Sequence, residues 1–232
     1  MALRNASTVQ PPTSDAPFKY VGGDPALDFV NTVDWTSRGP ERDRLTSYDR
    51  LVEWAIDAGV VPRELGAALR AASRRSPKRR DATLDSAVRL RAVLRRVLRA
   101  IATGQSDDAA LTDFDPYVER ALAQRTIVRE NARRGSRATI RLDWAWRDAD
   151  SLDAIEWAIV WSAASLIVSD DAGRLRVCGG DDCGWMFVDR SRNGLRRWCE
   201  MDVCGMKEKN RRRGARAARA TRSPSPSRSR TA

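Results

Sequence analysis

Apolar residues recur at helical spacing through most of the first 172 positions. Asp24 is placed to cap a helix beginning at Pro25, with Leu27 and Val30 on its faces and Asp34 or Trp35 one turn on. Ser47 starts a second helix, which carries Leu51, Trp54, Ala55 and Ala58 on one face and stops at Gly59. Pro62 opens a third, with Leu65, Leu69 and Ala72 inside. The longest begins at Asp81 or Thr83, repeats through Leu84, Ala87, Leu90, Leu94, Val97 and Ile101, and ends at Gly104. A shorter helix covers Asp115 to Ala123, with Pro116 near its start.

The period then changes from helical to alternating. Thr126 to Val128 and Ala138 to Leu142 read as a β-hairpin about a turn at Asn131 to Gly135, with Trp144 and Trp146 on one face if the strand continues. Ser151 caps a helix that is apolar almost all round, from Ile155 to Ile167, which marks it as central to a bundle. Near Ser169 to Gly173 the pattern breaks. Two short strands follow, Arg174 to Val177 and Trp185 to Val188, and a basic helix begins near Met201 or Asp202.

The predicted fold is mostly α, with a small β-hairpin in the N-terminal domain. A small four-cysteine module of two short strands and a basic helix follows. The segments are a disordered leader (1–17), a helical domain (18–172), the cysteine module (173–213) and an Arg/Ser/Pro-rich disordered tail (214–232).

Charge sharpens this division. The 232 residues carry a formal net charge of +11. From Arg190 onward there are 14 basic and 3 acidic residues, so the whole excess lies in the last 43 positions and the preceding chain is neutral. A neutral body with a basic end points to a polyanionic partner. Arg89, Arg91, Arg95, Arg96 and Arg99 fall in the neutral part and read as a solvated helix face with snorkelling stems.

The absence of His excludes a Ser-His-Asp triad, a Cys-His dyad and any His-ligated metal. The first twenty residues lack the apolar core of a secretory signal, and the most apolar run, Ala154 to Val168, is too short to span a bilayer. The expected location is therefore cytoplasmic and nucleoid-associated, with no membrane partner.

All four cysteines lie between Cys178 and Cys204, spaced C-x4-C-x15-C-x4-C. Two close pairs separated by such a loop suit one tetrahedral zinc, each pair on a turn, and Gly179, Gly180 and Gly184 permit the tight backbone of the first. Four thiolates fill the coordination sphere, so the ion is structural. It would supply on the order of 10–16 kcal/mol to a segment too small to bury a core of its own. An iron–sulfur centre is the competing four-cysteine chemistry, and disulfides are disfavoured in a reducing compartment.

Arg192, Arg196, Arg197, Lys207, Lys209, Arg211 and Arg212 surround the cluster and are the candidate nucleic-acid contacts, while Asp189 is a candidate ion-pair partner across the loop. If the last segment is helical, Lys209, Arg212, Arg213 and Arg216 share a face. Trp185, Phe187 and Trp198 either pack over the metal or stack on bases. A nucleic acid is the expected partner, with double-stranded DNA and an RNA-binding or ribosome-associated module as the two readings.

In the N-terminal domain Asp28 and Asn31 stand one turn apart and are a candidate pocket for a small-molecule effector, against a plainer role in caps and turns. Gly22-Gly23 lacks the spacing of a phosphate loop, and no nucleophile–base pair is present, so an enzyme is not expected.

The run CGGDDCGWMFVDRSRNGLRRWCEMDVCGMKEK resembles the CGNR zinc finger family, whose pattern is C-x4-C-G-W-x-F-x-D-x-S-R-N-x-x-R-R-W-C-x-M-x-x-C-G-N-R-x-K. Upstream, Val21 to Asp24, Ala26 to Thr32 and the Trp161-Ser162-Ala163-Ala164 helix resemble the ABATE domain usually joined to that finger. The resemblance implies a bacterial stress-induced transcription regulator with a DNA-binding finger, Cys178, Cys183, Cys199 and Cys204 as zinc ligands, and a domain that senses a signal or forms a homodimer. One departure stands out. The signature Cys-Gly-Asn-Arg reads Cys204-Gly205-Met206-Lys207, so the charge survives but the guanidinium fork and the amide are lost.

Overall fold

A computed structural model describes residues 15–36, 38–129 and 142–222. Helix α1 (Pro25–Val30) is capped by the Asp24 carboxylate, which accepts from Ala26 N. It ends too early to place Asp34 or Trp35 on its faces. Those residues instead lie in β1 (Val33–Thr36), paired antiparallel with β2 (Gly39–Asp43). Helix α2 (Tyr48–Asp57) is capped by Ser47, whose hydroxyl accepts from Arg50 N. Helix α3 spans Arg63–Arg75.

The longest helix, α4 (Pro77–Thr103), begins before Asp81, because Pro77 suits a first turn and the charged residues after it need no apolar partner. Helix α5 (Asp108–Ala123) likewise starts earlier than Asp115. Asp107 caps it by accepting from Ala110 N, which leaves Pro116 inside the helix. β3 (Arg125–Arg129) pairs antiparallel with β4 (Leu142–Trp146). The turn expected at Asn131 to Gly135 and the strand residues Ala138 to Arg141 lie outside the described residues. So do the leader up to Ser14 and the tail from Ser223.

Trp144 and Trp146 share a face of β4, as the alternation implied. Their rings lie 5.7 Å from Trp161 and 6.0 Å from Trp157 on α6 (Ala154–Ile167), and the Arg125 guanidinium stacks against Trp144, Trp146 and Trp161. Helix α6 lies inside the bundle, touching α1, α4 and α5, while α4 touches more elements than any other. The N-cap of α6 is Asp153, without a side-chain cap bond, and not Ser151, whose hydroxyl accepts from Asp153 N before the helix begins.

A 3-10 turn (Asp170–Arg174) leads into β5 (Leu175–Val177), paired antiparallel with β6 (Met186–Val188). A π-helical turn (Met201–Gly205) then runs into α7 (Met206–Arg222), which continues beyond residue 213, where composition had placed the end of the basic helix.

The cysteine module is not separate from the helical body. Leu175, Met186 and Val188 are buried in the same apolar cluster as Phe29, Leu94 and Ile159. A second, smaller cluster joins Trp185 and Phe187 to Cys178 and Cys199.

Candidate metal centre and nucleic-acid interface

The four cysteines converge from two turns. Cys178 follows β5 and its N–H bonds Trp185 O, while Cys183 N–H bonds Gly180 O. Cys199 sits at the end of the loop, and Cys204 lies in the π-helical turn with its N–H on Glu200 O. All four sulfurs lie within 4.8 Å of one another. Cys183 Sγ is 3.8 Å and Cys204 Sγ 3.7 Å from Cys199 Sγ. A tetrahedral zinc with bonds of about 2.3 Å has sulfur–sulfur edges of about 3.8 Å, whereas a disulfide needs about 2.05 Å. The donor set therefore fits a tetrahedral ion and no disulfide.

Hydrogen bonds from the Cys183 and Cys199 thiols, together with Cys199 N–H at 3.3 Å, hold Cys178 well below the usual thiol range. Sharing with Cys178 pushes Cys183 and Cys199 up. Four thiols this close cannot all ionise unless a dication compensates them.

Much of the surrounding loop is given over to bracing. Among the described residues Asp189 forms no ion pair across the loop. Its carboxylate accepts from Ser191 N, Ser191 Oγ and Arg196 N. Arg196 donates to the carbonyls of Trp198 (3.0 Å), Val21 (3.1 Å) and Cys199 (2.5 Å) and stacks on Phe187. Arg190 donates to Asp171 and to Gly23 O. Gly184 has an ordinary φ. It is needed for proximity, since a Cβ there would lie 2.8 Å from Trp35 Cβ. Trp185 and Phe187 are buried and Trp198 is packed against them.

Two arginine contacts of α4 were not foreseen, of which the first ties the module to the body. Arg95 on α4 stacks over Trp35 and donates to Gly184 O at 3.0 Å, and burial pulls its pKa down to about 10. Arg91, also read from sequence as a solvated residue, is buried and bonded to Thr32 Oγ1 and the Asp43 carboxylate. No local pattern could have revealed either, because their partners lie far away in the chain.

The remaining basic candidates face outward. Arg192, Arg197, Lys207, Lys209, Arg211 and Arg212 are exposed, as are Arg213 and Arg216. Arg197 lies over the Trp198 ring. Arg211 and Arg212 are partly engaged by Glu208, at 2.9 and 2.6 Å, and Arg211 also reaches Asp181 at 2.7 Å. That i,i+3 and i,i+4 spacing was present in the sequence and could have shown the pairing. The Arg pair holds the Glu208 carboxyl well below its usual range.

Asp28 and Asn31, the candidate effector pair, are both buried and bonded to backbone. Asp28 Oδ1 accepts from Gly22 N at 2.7 Å. Asn31 donates to Met186 O and accepts from Met186 N.

Comparison with known families finds two matches. The ABATE family, described as "Putative stress-induced transcription regulator", matches residues 23–172, and the CGNR zinc finger matches residues 174–217. No curated protein matches the chain. Together with the sulfur geometry, the finger match assigns the four cysteines to one structural zinc.

Proposed function

The chain belongs to the ABATE family and carries a CGNR zinc finger; from that premise we propose that it is a zinc-dependent regulator that binds duplex DNA through the finger and α7, while the helical body senses a signal or dimerises. The observation that carries this reading is the position of α7. It starts two residues after the zinc ligand Cys204, and Lys207, Lys209, Arg213 and Arg216 project from it into solvent. A helix fits the major groove, and cations along it neutralise phosphates. Zinc fixes the turn from which the helix leaves, so metal and binding are linked.

Burial of Trp185 and Phe187 favours duplex DNA over single-stranded RNA, because stacking on unpaired bases requires exposed rings. Neither the finger nor the ABATE match names an enzyme, and no catalytic role is assigned. No helix among the described residues is long and apolar enough to cross a membrane. The test is competition of the zinc-loaded chain between duplex DNA and single-stranded RNA of equal length. Preference for the duplex supports the reading, and preference for the single strand replaces it with the RNA alternative.

A further inference from the structure

A cavity of about 440 Å³ opens between α4, the end of α5 and the first turn of α6, within the usual range for small-molecule sites. Glu156 lines it and is only 5% exposed. Among the described residues nothing donates a hydrogen bond to Glu156 Oε2, although the atom is buried. Its other oxygen, Oε1, forms a long ion pair with the half-exposed Arg120, whose Nη2 lies 3.6 Å away. A buried carboxylate oxygen without a donor is costly and calls for a partner. Burial also raises the Glu156 pKa, opposed by hydrogen bonding from Ser86 and by the Arg120 charge.

The other charges around the cavity indicate the sign of that partner. Arg79 is paired with Asp153 at 2.5 Å, which offsets its charge. Arg120 lies against Tyr117 and is half exposed. Asp148, Asp153 and Glu156 outnumber these two arginines, so the lining carries one net negative charge when all are ionised. Trp157 supplies an apolar wall.

We propose that this cavity binds a small organic cation with N–H donors, an amidinium or a primary ammonium, whose charged head reaches Glu156 and whose body lies against Trp157. The proposal deepens the sensing half of the regulatory reading and rests on it only for the consequence of binding. Helix α4 carries Ser86 at the cavity and Arg95 at the first zinc turn, so one rigid element joins the two places.

The experiment is calorimetric titration of the full zinc-loaded chain with benzamidine, with benzoate as the anionic match in shape. Benzamidine is expected to bind at one site per chain and benzoate not to bind. Glu156→Gln should weaken benzamidine at least tenfold. Arg120→Ala should tighten it, because a competing cation leaves the carboxylate; this variant decides the matter if Glu156→Gln does not fold. Absence of saturable benzamidine binding, equal binding of benzoate, an unchanged affinity in Glu156→Gln or no tightening in Arg120→Ala would each overturn the proposal. DNA takes no part in the titration, so its failure leaves the DNA-binding reading intact.

Discussion

Asn31 of α1 and Met186 of β6 exchange two hydrogen bonds, with Asn31 Nδ2 2.8 Å from Met186 O and Met186 N 3.0 Å from Asn31 Oδ1. The side-chain amide acts as one further strand partner for the finger, inside a seam where Asn31 is 2% exposed. It joins the helical body to the zinc module at a point where water cannot take its place. Replacing Asn31 with Ala strands a buried N–H and a buried C=O. At about 1–3 kcal/mol for each unsatisfied group, the loss should be about 2–6 kcal/mol, read as a lower urea midpoint. A midpoint within error of wild type would show that the seam is not held in this way.

Because Leu175, Met186 and Val188 sit in the body's own core, zinc should stabilise the whole protein. Chelation is expected to lower the midpoint of a single cooperative melting transition. Two transitions, with the body melting at its original temperature, would mean that finger and body fold independently.

Arg196 and Lys209 should behave differently although both were candidate DNA contacts. Arg196 is committed to three carbonyls, so Arg196→Ala should lower finger stability and zinc retention. Lys209 is exposed. Lys209→Ala should leave melting unchanged, weaken binding to all duplex sequences alike and reduce the salt slope by about 0.9. The reverse pattern would exchange their roles.

Asp28 gives a pH dependence whose sign is fixed. Burial raises its pKa to about 6, outweighing the hydrogen bond from Gly22 N. An unfolded Asp titrates near about 3.9, so between roughly pH 4 and 6 the folded state binds the extra proton. The stabilisation from Asp28 is complete below that window and is lost as the pH rises through it, by on the order of 2–3 kcal/mol. Asp28→Asn keeps an oxygen for Gly22 N and should flatten this part of the stability profile. An unchanged slope between pH 4 and 7 would remove Asp28 as its source.

What the sequence made legible was local. Asp24 and Ser47 cap the helices they precede, and the spacing of the cysteines anticipated a quartet of sulfurs with tetrahedral edges. The β1–β2 hairpin was missed because Asn31, which ends α1, is spent on a partner 155 residues away, and that choice leaves no local trace. Arg196 looked like a phosphate contact because its three carbonyl partners come together only when the loop closes on Phe187. Arg95 looked solvated until Trp35 and Gly184 were brought against α4. For both arginines a long side chain was read as surface because the surface that covers it is assembled from elsewhere.

The most direct test of zinc-built DNA binding is a salt titration of duplex affinity, measured by fluorescence anisotropy on the zinc-loaded protein and on Cys199→Ser. The zinc-loaded protein should give a straight fall of log affinity with log salt, with a slope of several units at about 0.9 per phosphate neutralised. Cys199→Ser, with one ligand of the quartet gone, should lose that affinity. A flat salt dependence, or a Cys199→Ser protein that binds as tightly as wild type without zinc, would contradict the account.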